Sequence, residues 1–211
     1  LKDGLALEAR GGVNPFKMGF IGSTDTHSAT PGATEEYNFV GHLGRRDAEY
    51  RNLQDHFYSQ AGGHAVVWAE ENSRDAVFEA LRRRETYATS GTRPIVRFFG
   101  GGEIAENLCQ NPEMVDAAYQ QGVPMGGEVA GNTSPRFLVS AQKDVGVPAF
   151  PGTDLQRIQI IKGWIDAQGQ THERVFDVAG DPDNGAAVDP QTCASIGEGY
   201  SSLCTVWRDP E

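Results

Sequence analysis

Apolar residues recur at two different spacings in the first half of this chain, and the two spacings alternate. The clearest helical spacing lies in NSRDAVFEALRRRE, residues 72–85, where Ser73 can cap the first turn and Ala80 lies on an apolar stripe. Helices are predicted at residues 1–10, 48–60 and 72–85, and strands at residues 16–23, 64–69 and 93–99. This alternation of strand and helix predicts a parallel sheet or barrel over residues 1–92.

Strand-like runs dominate from residue 93 onwards, apart from a short helical pattern at residues 111–122. The predicted strands lie at residues 136–142, 155–166, 171–180 and 203–209. Residues 167–170 are typical of a turn, so the second and third of these strands should form a hairpin. We therefore expect a second domain over residues 93–211, built as an antiparallel, sandwich-like β region.

Charge and composition argue against nucleic-acid binding and against a membrane-spanning segment. The formal net charge of −11 over 211 residues argues against nucleic-acid binding, which needs a face dense in Lys and Arg. No run approaches the roughly 20 apolar residues of a membrane span. The chain starts without a methionine, in the middle of a helical pattern, and stops just after a predicted strand. We expect it to be a piece of a longer protein.

Three cysteines, Cys109, Cys193 and Cys204, are too few to build a disulfide framework. Cys193 and Cys204 bracket a Gly- and Ser-rich loop. That spacing suits a disulfide between two strands, although two reduced and buried thiols fit the same pattern. The absence of a C-x-x-C pair argues against a zinc site made of thiolates.

Asp25 and His27 follow a short apolar run at residues 18–21 and precede a Pro-Gly turn. Residues two apart on a strand point to the same face, so the carboxylate and the imidazole are expected to converge. The apolar side chains of the run should be buried and anchor the strand. Such a pair at the end of a barrel strand suits a metal centre. A turn in which Asp25 accepts bonds from backbone amides is the alternative.

Three further residues are weaker candidates for the same site. Glu70 follows the strand at residues 64–69, although an acid there also favours the positive end of the next helix dipole. Arg93, in the turn YATSGTRP, is a candidate contact for a phosphate or carboxylate, with an ordinary helix-to-strand turn as the alternative. His42 is close enough in sequence to add a metal ligand, or it is a hydrogen-bonded packing residue.

The stretch GFIGSTDTHSATPG resembles the last metal-binding motif of the PHP (polymerase and histidinol phosphatase) superfamily. That motif is a strand running into Gly-Ser-Asp-x-His, which Gly22, Ser23, Asp25 and His27 match with Thr24 as one extra residue. More closely, the chain resembles a large uncharacterised bacterial family whose PHP-like domain carries an extra C-terminal β region. The stretches that carry this resemblance are STDTHSATPGATEE, WAEENSRDAVFEALRRRETYATSG, PMGGE and LQRIQIIKGW.

The resemblance implies a fold in which the C-terminal βα units of a PHP-like distorted barrel precede the β region. It also implies that Asp25 and His27 are metal ligands, with Zn, Mn or Fe as the divalent metal and two ions in the intact protein. The implied function is hydrolysis of a small-molecule substrate, a phosphoester, by metal-activated water. The alternative is a non-catalytic binding protein with a degenerate barrel and a ligand- or partner-binding β domain.

One departure from the superfamily pattern limits these expectations. PHP proteins also use an N-terminal His-x-His pair, which this chain does not contain. We expect the N-terminal remainder of the same protein to supply it, so that this piece alone is inactive. The resemblance and the pairing of Cys193 with Cys204 both favour a periplasmic or secreted location over a cytoplasmic one.

Overall fold

A computed structural model of the chain describes residues 2–27, 29, 62–131, 134–192 and 194–210. These residues form small antiparallel sheets and three α-helices, so the fold mixes helix and strand with strand dominant. The helices are α1 (Lys2–Ala9), α2 (Arg74–Arg83) and α3 (Met114–Gln121), with a short 3-10 helix at Leu108–Gln110. Across the described ranges, no helix is long and apolar enough to cross a membrane. The helix predicted at residues 48–60 lies outside the described residues.

Twelve strands are assigned in these same ranges. They are β1 (Ala65–Val67), β2 (Thr86–Ala88), β3 (Ile95–Gly101), β4 (Val123–Pro124), β5 (Arg136–Gln142), β6 (Gly146–Val147), β7 (Phe150–Pro151), β8 (Arg157–Ile165), β9 (Thr171–Gly180), β10 (Ala187–Val188), β11 (Ser195–Ile196) and β12 (Ser202–Arg208). The central sheet has the order β12-β5-β3-β4, and the other strands pair as β1-β2, β6-β7, β8-β9 and β10-β11. Strands β5 and β9 have the bounds that the sequence predicted, and the β8-β9 hairpin is confirmed.

One face of the central sheet carries the most deeply buried side chains of the described chain. Phe99 of β3 lies opposite Leu138 of β5, and both side chains are almost completely buried. The residues that cover them come from α3, from the 3-10 helix and from the chain just before it, namely Ile104, Leu108 and Ala118. The short helical pattern at residues 111–122 therefore forms a helix, as predicted, and it covers the sheet.

The opposite face of the same sheet packs against the β8-β9 hairpin. Val139 and Ala141 alternate with Leu138 along β5, so they point to this second face. They form an apolar cluster with Ile158 of β8. The rings of Phe176 in β9 and Trp207 in β12 lie 5.0 Å apart, which extends the contact along the hairpin.

Helix α2 forms where the sequence predicted it, with the predicted cap: the backbone N–H of Ala76 donates to Ser73 Oγ at 3.2 Å. The parallel pairing expected around it is wrong, because β1 and β2 pair antiparallel. Arg84 ends the helix in the left-handed conformation, with φ at 62°, and turns the chain back at once. The N–H of Trp68 then donates to the carbonyl of Glu85 at 3.0 Å, so α2 closes a hairpin instead of a parallel crossover.

The strand predicted at residues 16–23 is also wrong, because no strand is assigned there. Two of its carbonyl oxygens accept hydrogen bonds from side chains. Arg84 Nη1 donates to the carbonyl of Lys17 at 2.8 Å, and Thr86 Oγ1 donates to that of Phe20 at 2.9 Å. The apolar side chains expected to be buried are exposed, with 53 % of Met18, 56 % of Phe20 and 61 % of Ile21 accessible to solvent.

A disulfide joins Cys109 to Cys204, across 95 residues of sequence. Cys204 lies opposite Ser140 in the sheet, so strand alternation sends it to the face that the 3-10 helix covers. Cys109 is in that helix, which brings the two Cα atoms to 5.8 Å. The predicted partner of Cys204 is therefore wrong, and Cys193 itself lies outside the described residues.

This disulfide should contribute strongly to stability, because it closes a long loop in the unfolded chain. Cys109→Ala in the intact protein should lower the free energy of unfolding by about 2–5 kcal/mol. Urea denaturation followed by circular dichroism measures the change under oxidising conditions.

Cys193→Ala is the matched control, since it removes a cysteine without touching this bond, and its unfolding midpoint should stay near the wild-type value. A larger loss of stability in Cys193→Ala than in Cys109→Ala would contradict the observed pairing.

Candidate functional site

Asp25 and His27 lie in an exposed segment that passes beside β1 and β2. Asp25 has a φ of 53°, in the left-handed region that Asp tolerates better than most residues. Its N–H donates to Ser23 Oγ at 3.1 Å, which closes a local turn. The backbone therefore turns between the two side chains, and the simple alternation assumed for a strand does not apply to them.

A short contact with the backbone orients the imidazole of His27. Its Nδ1 lies 2.6 Å from the carbonyl oxygen of Asp25. A carbonyl oxygen can only accept, so Nδ1 carries the proton and donates. In the neutral ring Nε2 then holds the lone pair. A histidine that donates one ring N–H to a backbone carbonyl and presents the other nitrogen is the usual form of a metal ligand.

Two close backbone approaches hold this segment in place. A Cβ built on Gly22 would lie 2.8 Å from the carbonyl oxygen of His64. A Cβ on Gly63 would lie 2.2 Å from that of Ser23. Only glycine fits at such distances, so Gly22 and Gly63 let the Asp25 segment pack directly on the chain entering β1.

Thr89, which is 6 % exposed, joins that chain to β2. Its Oγ1 accepts the N–H of His64 at 3.2 Å and donates to the carbonyl of Gly62 at 2.5 Å. The N–H of Thr89 donates to the carbonyl of His64 at 3.1 Å. A single buried hydroxyl thus satisfies two backbone groups directly beneath the candidate site.

The other predicted site residues have different surroundings. Glu70 is exposed and lines a separate groove with Trp68 and Tyr119. The backbone N–H of Arg93 donates to Asp144 Oδ2 at 3.0 Å, which ties the turn before β3 to the chain after β5. His42 lies outside the described residues.

Sequence reasoning did not single out His64, although its backbone packs against Gly22. His64 directly precedes β1 and follows two glycines. That position is the sequence signal that would have indicated a backbone contact beside the candidate site.

The donor types at this site suit a divalent metal, but the described residues do not supply enough of them. A carboxylate and a neutral imidazole suit Zn, Mn or Fe. In the parts of the chain that the structure describes, no three His, Cys, Asp or Glu side chains are arranged to hold an ion. Asp25 and His27 therefore make up at most part of a ligand set.

A family model described as "Protein of unknown function (DUF3604)" matches residues 1–211. No curated protein and no solved structure matches the chain.

Removing the Thr89 hydroxyl should loosen the support of the site. Thr89→Val keeps the shape of the side chain but removes the hydrogen bonds that Oγ1 makes with the His64 N–H and the Gly62 carbonyl. The loss of two hydrogen bonds to backbone groups at a buried side chain should cost about 1–3 kcal/mol of stability. Thermal melts of the intact protein measure it, and amide exchange at His64 should become faster.

Thr89→Ser is the matched control, because it retains the hydroxyl, and it should lose less stability than the valine variant. Equal stability of the wild type and Thr89→Val would show that the two backbone groups do not depend on this side chain.

Proposed function

The chain belongs to the family of proteins of unknown function DUF3604, and on that premise we propose that it contributes to the metal site of a hydrolase. Asp25 and His27 are the ligands it contributes. The substrate class is a small phosphoester, as the resemblance to the PHP motif suggests. The remaining ligands come from outside the described residues, with the N-terminal remainder of the protein as their proposed source.

The observation that carries the proposal is the orientation of the His27 ring. The 2.6 Å contact between Nδ1 and the Asp25 carbonyl favours the tautomer in which Nε2 can bind a metal. The left-handed backbone at Asp25 and the support from Gly22 and Gly63 hold this arrangement through contacts within the chain itself. Such preorganisation lowers the cost of assembling a metal site.

The proposed roles follow from the chemistry of the two side chains. A bound divalent ion would supply a Lewis acid and a water that is acidic near neutral pH. The Asp25 carboxylate would balance part of the positive charge, and the His27 imidazole would add a neutral donor. Zn, Mn and Fe all accept this combination, and two ions fit a site completed by further ligands.

The disulfide supports an oxidising location for this protein. Structural disulfides persist mainly in secreted, periplasmic and cell-surface proteins. The bond between Cys109 and Cys204 therefore supports a periplasmic or secreted hydrolase, with a different pair of cysteines from the one the sequence predicted.

Metal content tests the proposal directly. The intact protein should retain divalent metal after dialysis, and Asp25→Asn and His27→Ala should each weaken its metal affinity by about tenfold or more. Both variants should also lose hydrolysis of an aryl phosphate, because the ligand set is incomplete. Elemental analysis and a colorimetric assay measure the two effects.

The matched control is Asp183→Asn, an exposed acid in the loop after β9, which should keep wild-type metal content. Thermal melts of all variants verify folding. Equal metal content in well-folded Asp25→Asn and wild type would overturn the ligand assignment. A folded wild type without metal or hydrolysis would favour the non-catalytic binding protein instead.

A further inference from the structure

The groove that Glu70 lines with Trp68 and Tyr119 has a volume of about 630 Å³. It lies between the β1-α2-β2 unit and the helical side of the central sheet. This volume is within the range of sites for small ligands, roughly 300–1,000 Å³. Trp68 and Arg83 line it from one side, and Arg97, Val115 and Tyr119 line it from the other. It is separate from the exposed segment that carries Asp25 and His27.

The acid at the base of this groove already has its partners. The side chain of Glu85 is only 4 % exposed, and its Oε2 pairs with Arg83 Nη2 at 3.1 Å. The hydroxyl of Tyr119 bonds to the other carboxylate oxygen. Because a carboxylate accepts, the tyrosine must donate its proton there. The charge of Glu85 is therefore balanced by Arg83.

The tyrosine stays protonated in this position. Burial, followed by the hydrogen bond to Glu85, raises the pKa of Tyr119 above its ordinary value. A neutral Tyr119 cannot balance a cation, although its oxygen accepts a hydrogen bond from Arg97 Nη1 at 3.3 Å.

Arg97 is thus the cation in this groove whose charge is not balanced by a neighbouring acid. Its guanidinium carbon Cζ lies 3.2 Å from the centroid of the Trp68 ring, a cation–π contact that holds the group against the indole face. Among the described residues, no carboxylate lies within ion-pairing distance of it. Most of its N–H donors therefore have no acceptor in this part of the chain.

We propose that this groove binds a small organic monocarboxylate, with the ligand carboxylate on the Arg97 guanidinium. A guanidinium carries its N–H donors in a rigid planar fork, and two parallel donors of that fork match the two oxygens of a carboxylate. Val115 and Pro124 offer apolar surface for the carbon body of the ligand. The proposal is independent of the metal site.

The other charges of the groove decide between a monocarboxylate and a phosphate. Besides the paired Glu85, the acids Glu70 and Asp116 line the groove. Two arginines against three acids leave a formal excess of one negative charge, which repels a dianion more than a monoanion. A ligand with one negative charge and an apolar body fits this surface better than inorganic phosphate does.

Calorimetric titration of the intact protein with butyrate tests the site. The wild type should bind butyrate and should not bind butyramide, which has the same shape without the charge. Arg97→Gln should weaken butyrate binding by about tenfold, as expected for losing hydrogen bonds between charged groups. Asp116→Asn should strengthen it, because a repelling charge is removed from the groove.

Arg82→Gln is the matched control. Arg82 also lies over an aromatic ring, that of Phe78, but it does not line the groove, so its variant should bind butyrate like the wild type. Thermal melts check that Arg97→Gln is folded, and its metal content should equal that of the wild type. The proposal is overturned by no butyrate binding in the wild type, by equal binding in folded Arg97→Gln, or by equal binding of butyramide. Tighter binding of inorganic phosphate than of butyrate would also overturn the proposal and would identify a phosphate as the ligand.

Discussion

The register between β3 and β5 determines which side chains face the helices and which face the β8-β9 hairpin. Phe99 opposite Leu138 sends both side chains to the helical face, and Phe98 opposite Val139 then points to the hairpin face. A slip of one residue in β5 would send Leu138 to the hairpin face and Val139 to the helical face, which would break up both apolar clusters. The same alternation places Cys204 under the 3-10 helix and puts Arg97 on the side of α3. The disulfide therefore depends on the register of β5 with β12, and the groove that Arg97 lines depends on the register of β5 with β3.

The β1-α2-β2 unit is attached to the central sheet at the start of β3. Trp68 Nε1 donates to the carbonyl of Val96 at 3.1 Å, and the hydroxyl of Tyr87 donates to that of Pro94 at 2.9 Å. The same hydroxyl accepts the N–H of Val96 at 3.2 Å, and burial raises the pKa of Tyr87, so it stays a donor. Aromatic side chains with one polar atom suit this role, because the ring packs while the polar end satisfies the strand edge.

Local patterns were enough to predict many of the elements but not their partners. Ser73 and the helical spacing after it identified α2, and the turn after Asp166 identified the β8-β9 hairpin. The pairing of β1 with β2 depended on one left-handed residue, Arg84, which no spacing reveals. The partner of Cys204 could not be found either, because three cysteines allow three pairings and only the sheet register selects Cys109.

The segment of Asp25 shows why an apolar run does not by itself make a buried strand. A strand forms when its backbone N–H and carbonyl groups bond to a neighbouring strand. Here the side chains of Arg84 and Thr86 donate to two carbonyls of the segment. Its position is set by close packing at Gly22 and Gly63, so its apolar side chains need not be buried to hold it. The groups that hold the segment are the Arg84 and Thr86 side chains and the backbone just before β1. All of them belong to or adjoin the β1-α2-β2 unit, which is hydrogen-bonded to β3. The candidate ligands are thus positioned by a chain of backbone contacts that leads back to the central sheet.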